Sequence, residues 1–303
     1  MMSSRSLPSP ASMSVRPPGA PSRLLDYISL TKPEVTFLVL IATALGCVMG
    51  SRGAVDLILM LNAVFGTALL AAGTATLNHY LEREHDGKMR RTAGRPLPAG
   101  RLTAPQVFWF GILLSLGGVV YLIWSVNLLT SLIGALTLLS YLLVYTPLKR
   151  KTTLCTLIGA FPGAAPVLMG WSAVREGLSL EAWVLYSILF VWQFPHFLAI
   201  AWMYREDYAR AGMLMLPRND GNGRLTFRQI LLFAFVLVPL SLLPVLLKMT
   251  GLIYLIAALV LGSIFFFYAY RAAVLRTKLQ AKVLLHASVL YLPLMYAVMV
   301  LDR

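Results

Sequence analysis

Apolar residues in this chain come in continuous runs of about 20, broken by short polar stretches, and nine such runs fall between residues 34 and 301. Their approximate bounds are 34–51, 55–82, 105–124, 127–146, 154–174, 178–203, 227–247, 251–270 and 281–301. The runs do not alternate, so they predict membrane-spanning helices rather than the strands of a barrel. The fold class is therefore all-α, a polytopic membrane protein in which residues 23–303 make one nine-helix domain. Leu24 to Glu34 leads along the interface into the first span. Residues 1–22 are rich in Ser, Pro and Arg, show no apolar periodicity, and predict a disordered tail. They lack the apolar run of a signal peptide.

Charge changes this picture in one respect. A net charge of +14 would suggest a nucleic-acid partner in a soluble protein. Here only 13% of residues are charged, and the cations lie in loops beside apolar spans. No nucleic acid is expected; the lipid bilayer is the surface these residues meet. With the N-terminus inside, 22 of the 26 lysines and arginines fall on the cytoplasmic side, against Arg52, Arg175, Lys248 and Arg303 outside. That bias predicts a multi-pass protein of the cell inner membrane with its N-terminus and charged loops cytoplasmic. A mitochondrial inner membrane is the weaker alternative: the tail has a Ser/Arg bias, but its five prolines oppose an amphipathic helix. Cys47 and Cys155 stand alone in apolar stretches and predict small buried residues, not a metal or redox pair.

Candidate chemistry concentrates where the second span ends. If its helix continues past residue 82, Asn78, Glu82 and Asp86 stack along one face at intervals of four. Acids at a helix C-terminus oppose the macrodipole. The face therefore predicts a positive partner, and a divalent cation such as Mg²⁺ suits it. Lys88, Arg90, Arg91, Arg95 and Arg101 follow. Acids for a metal beside arginines for phosphate oxygens read together as a diphosphate site at a membrane edge. A solvated loop would explain the arginines but not the polar face. A second acidic helix end follows the sixth span, where Tyr204, Asp207 and Tyr208 share a face with Arg205 and Arg210 beside them. The two ends lie on one side of the membrane and are expected to share a Mg²⁺–diphosphate group. Mid-span positions carry almost no ionisable residue, which counts against an ion-coupled transporter. His196, about two turns inside the sixth span after Pro195, is either hydrogen-bonded to a neighbouring helix or in contact with substrate. The run from Gly159 to Pro166 permits tight packing or room for a planar ligand, packing being the simpler reading.

These motifs resemble the intramembrane prenyltransferases of the UbiA type, and within them the branch acting on haem. The resemblance rests on four places. They are Asn78…Glu82…Asp86 running into Lys88-Met89-Arg90-Arg91-Thr92 and Arg95-Pro96-Leu97; Tyr145-Thr146-Pro147-Leu148-Lys149-Arg150; Phe194-Pro195-His196-Phe197; and Tyr204…Asp207-Tyr208 leading to Met215-Leu216-Pro217. It covers about residues 25–300. It implies a UbiA-type bundle with a central cavity open toward the cytoplasm. It also implies transfer of a farnesyl group from farnesyl diphosphate to a vinyl group of haem B (heme B), a substrate rather than a cofactor, giving haem O. Asn78, Glu82, Asp86 and Asp207 would then hold Mg²⁺ or another divalent cation. Lys88, Arg91, Arg95, Lys149 and Arg150 would bind the diphosphate. Asp86, Asp207, His196 and Tyr204 would form the catalytic set, with His196 or Tyr204 orienting water or touching the haem. A haem A synthase (heme A synthase) or a haem–copper oxidase assembly is the protein partner the resemblance suggests. Cys155 stands where the family usually has Asn, and Glu82 where much of the superfamily has Asp. The competing readings are a sister prenyltransferase with a quinone-precursor or chlorophyll-type acceptor and, in a different class, a haem transporter or oxidase assembly partner.

Overall fold

The computed structural model describes residues 22–303, so the expected tail lies outside the described residues apart from Ser22. The first helix, α1 (Arg23–Leu30), is capped by Ser22, whose Oγ accepts the Leu25 N–H at 3.3 Å. It exposes Leu24, Leu25 and Ile28 and buries Asp26, which receives Nε of Arg101 at 2.9 Å. A left-handed Lys32 (φ 48°) then turns the chain, and Pro33 opens α2 (Pro33–Gly50) at the position where its missing N–H costs nothing.

Asp56 caps α3 (Leu57–Asp86) by accepting the Leu59 N–H at 3.0 Å. At 30 residues it outruns the ~20 that a bilayer core requires. Its last turns, carrying Glu82 and Asp86, therefore extend beyond the apolar stretch. A capping box of Thr103 and Gln106 starts α4 (Ala104–Ser125). The fourth span is composite: α5 (Leu128–Leu139), a π-helical stretch at Ser140–Tyr145, and the single turn α6 (Thr146–Leu148). Next come α7 (Cys155–Val174), α8 (Leu180–Met203) and the short α9 (Arg205–Arg210). The chain closes with α10 (Arg224–Leu240), α11 (Leu243–Leu246), α12 (Leu252–Leu275) and α13 (Lys278–Leu301). Among the described residues nine helices are long and apolar enough to span a membrane, α10 with α11 counting as one. Their bounds fall within a few residues of those read from the apolar runs.

The most buried span is α7, packed against α2, α5 and α8. A Cβ on Gly170 would collide with the Thr43 carbonyl oxygen, and one on Gly46 with the Val167 carbonyl oxygen. The α2 and α7 backbones thus meet directly, as small residues allow between spans. Gly159 lies against the Tyr145 ring and Gly163 against the Gln193 amide. The small-residue run is a packing device, not space for a ligand. Helices α10, α12 and α13 close the other flank on α8 through Phe227, Tyr254, Phe265 and Tyr291. Leu113, Leu136, Leu143, Ile253 and Leu290 face outward, as lipid contact requires. Both cysteines are buried and free.

Candidate active site

At one end of the bundle, the segments after α3, α6 and α8 are knitted together by a small apolar core. Met89, Cys155, Tyr208, Met213 and Met215 are buried there, with Tyr145, Leu148 and Tyr204 packed on them. The Leu214 N–H donates to the Lys149 carbonyl at 2.6 Å. This core holds the two acidic helix ends side by side.

On α3, Asn78, Glu82 and Asp86 are all buried, at 1%, 8% and 1% exposure, and follow one another at single-turn intervals. Each meets a cation. Lys32 Nζ donates to Asn78 Oδ1 at 2.9 Å, while Asn78 Nδ2 donates to Thr146 Oγ1 at 3.3 Å. Lys149 Nζ reaches Glu82 Oε1 at 2.9 Å. Arg95 NH1 reaches Asp86 Oδ2 at 2.7 Å. The other Asp86 oxygen, Oδ1, is buried with no hydrogen-bond partner among the described residues. Asp207 accepts the Arg90 backbone N–H at 3.3 Å and forms an ion pair with Arg210. Arg91 NH2 donates to the Tyr208 hydroxyl at 2.7 Å, and its guanidinium lies 4.8 Å from the ring centres of both Tyr204 and Tyr208.

Electrostatics follow from this crowding. Burial disfavours the charged form of Lys32, and nearby Arg95 and Lys149 add to the effect, drawing its pKa down to about 7. Burial works against the Lys149 ammonium too. There the Tyr145 ring at 4.5 Å and the Glu82 carboxylate outweigh it and hold its pKa well above the usual lysine value. The π-helical stretch places both Tyr141 and Tyr145 over that ammonium. Beside Glu82 lies a cleft of about 180 Å³, lined by His85, Thr146 and Arg150 among others.

Asn78, Glu82, Asp86, Asp207, Arg91, Arg95, Lys149 and Tyr204 are thus brought into one neighbourhood. Lys88 and Arg150 are exposed, and their side chains make no hydrogen bond or ion pair among the described residues. Arg101 is drawn away to Asp26. His196 stands apart, its Nδ1 2.8 Å from Ser288 Oγ and its ring stacked on Trp192 at 4.8 Å. Lys32 was not legible as a site residue, because before Pro33 it looks like one more topogenic cation. His79, with both ring nitrogens buried and unpartnered, gave no signal beyond its adjacency to Asn78.

Among the described residues no group of three or more His, Cys, Asp or Glu is arranged to hold a metal. Mg²⁺, however, needs only one or two carboxylates when substrate phosphates supply further oxygens. The α3 face offers oxygen donors only, one of them the orphaned Asp86 Oδ1, and so fits a hard divalent cation.

Comparisons with known proteins identify the family and the fold. The profile of the UbiA prenyltransferase family matches residues 39–292. A protoheme IX farnesyltransferase of Solibacter usitatus is 52% identical over 92% of this chain and 98% of its own length. One of Koribacter versatilis is 44% identical over 96% of this chain and 97% of its own length. In structure, a digeranylgeranylglyceryl phosphate synthase superposes with a TM-score of 0.76 at 18% identity, covering 92% of this chain and 98% of the other. A UbiA homologue of Archaeoglobus fulgidus bound to GPP and Mg²⁺ gives 0.65 at 17% identity, covering 90% and 99%.

Proposed function

The chain belongs to the UbiA prenyltransferase family, and on that premise we propose that it transfers the farnesyl group of farnesyl diphosphate to a vinyl group of haem B, forming haem O. It is a prenyltransferase. The observation that carries the acceptor assignment is the 52% identity to a protoheme IX farnesyltransferase along nearly the whole of both chains.

In this reading Asn78, Glu82 and Asp86 from α3, with Asp207 from α9, hold a divalent cation. When bound, that cation would neutralise the charge building on the diphosphate oxygens. Arg91, Arg95 and Lys149 supply donors to the same oxygens as the allylic C–O bond breaks, and Lys32 adds a fourth. Lys149 and Arg95, now resting on Glu82 and Asp86, are donors the diphosphate would recruit. Lys88 and Arg150, exposed at the rim, steer the anion inward. The farnesyl cation carbon bonds the vinyl terminus, and water adds at the adjacent carbon with loss of a proton. This gives the hydroxyethylfarnesyl group and free diphosphate. Tyr204 lies beside Arg91 at the edge of this chemistry. His196, with Nδ1 engaged by Ser288, keeps Nε2 for the acceptor or the attacking water. Burying about a dozen prenyl carbons among the spans contributes on the order of 10 kcal/mol before binding costs.

The charge bias of the loops supports a cytoplasmic position for this end and the cell inner membrane for the protein. A haem A synthase or an oxidase assembly would be the natural recipient of so apolar a product. The test is incubation of the purified protein with haem B, farnesyl diphosphate and Mg²⁺, followed by separation and mass measurement of the haems. Haem O is expected; haem B recovered unchanged, while a quinone precursor is prenylated, would replace the acceptor assignment.

A further inference from the structure

The four cations that the charge bias leaves on the far side, Arg52, Arg175, Lys248 and Arg303, all line one open basin of about 840 Å³. It lies at the end of the bundle opposite the carboxylates. The four come from four separate segments: the α2–α3 turn, the α7–α8 turn, the turn before α12, and the end of α13. Two of them are fixed on the carbonyl end of α2. Arg175 donates from Nε to the Gly50 carbonyl, and Arg303 donates to the Val48 carbonyl and, at 2.6 Å, to that of Gly53. A helix C-terminus attracts cations, and this anchoring leaves other guanidinium N–H groups free to donate. The side chains of Arg52 and Lys248 make no hydrogen bond or ion pair among the described residues, and Lys248 sits in a left-handed conformation (φ 55°).

A second observation points to a ligand. Trp171 lines the basin, is only 4% exposed, and its indole N–H is buried without an acceptor among the described residues. A buried donor of this kind is costly unless something accepts from it. Glu176 and Glu181 are the carboxylates of the lining, so cations are in excess. Met49, Leu178 and Leu247 add apolar surface beside the charges.

We propose that this basin binds the phosphate of an anionic phospholipid, with the cations on the headgroup and the apolar lining beneath its glycerol and acyl carbons. Loop charges that serve topology alone need not converge on one basin.

The test is native mass spectrometry of the purified protein with phosphatidylglycerol, phosphatidylcholine or inorganic phosphate. The wild type is expected to retain phosphatidylglycerol in preference to phosphatidylcholine. Arg52→Gln with Lys248→Gln should weaken that retention about tenfold, while Arg52→Lys with Lys248→Arg should keep it. Farnesyl transfer should be unchanged in both double variants, since neither touches the carboxylate end. Equal retention of both lipids, unaltered retention in the Gln variant, or complete displacement by millimolar inorganic phosphate would each overturn the proposal.

Discussion

The backbone N–H of Arg90 donates to Oδ1 of Asp207 at 3.3 Å, joining the segment that follows α3 to α9 across 117 residues of sequence. Asp86 lies four residues before Arg90, so this bond sets the two acidic helix ends beside one another. Asp207→Asn keeps an acceptor for the Arg90 N–H but removes a charge. It should lower farnesyl transfer by about 100-fold without loss of folded protein. Turnover, measured beside a thermal melt in detergent, checks this.

Asp86→Asn should be as severe. Arg95 is partly exposed and can re-solvate, so the variant should accumulate normally in membranes. Haem extracts from cells expressing it are expected to contain about one-hundredth of the wild-type haem O.

Glu82 and Lys149 form an ion pair with both side chains about nine-tenths buried. Removing one partner strands the other, and for such a pair the cost is about 3–5 kcal/mol. Lys149→Met and Glu82→Gln should each melt well below the wild type, and the double variant should recover part of the loss. A double-mutant cycle on thermal unfolding measures the recovery. Strictly additive losses would mean that the two residues do not act as a pair.

Where α2 meets α7, Gly170→Ala pushes a methyl group into the Thr43 carbonyl. The spans must separate, at a cost of about 1–3 kcal/mol. Gly177→Ala is the control, since a Cβ there meets nothing within 4 Å. The first should lower the melting temperature and the second should leave it unchanged.

His196 separates two roles. Ser288→Ala removes the partner of Nδ1 and should cost about 1 kcal/mol in stability. His196→Ala should in addition lower turnover about tenfold with haem B limiting, leaving KM for farnesyl diphosphate unchanged. Parallel losses for both substrates would assign the imidazole to packing alone.

The spans were legible because lipid forces every backbone group into a helix and every exposed side chain to be apolar, and that leaves a continuous run in the sequence. The polar face of α3 was legible for a related reason: Asn78, Glu82 and Asp86 repeat at the helix period. Partners were not. Nothing local to Lys32 or Lys149 indicates that their ammonium groups reach Asn78 and Glu82, because those contacts cross 46 and 67 residues. Nor could Arg101 be told from its neighbours until Asp26 was seen to take it. The break at Tyr204 that separates α9 from α8 carries no Gly or Pro to announce it. The far basin shared this obscurity: four cations scattered over 250 residues converge only in three dimensions.

The central claim is that two helix ends make one cation–diphosphate site. Its most direct test is equilibrium binding of S-farnesyl thiodiphosphate, whose C–S bond resists cleavage, to the purified protein with Mg²⁺. The account predicts that Asp86→Asn and Asp207→Asn each weaken binding about 30-fold. The double variant should be little worse than either single one. Wild-type affinity in the Asp207 variant would contradict it.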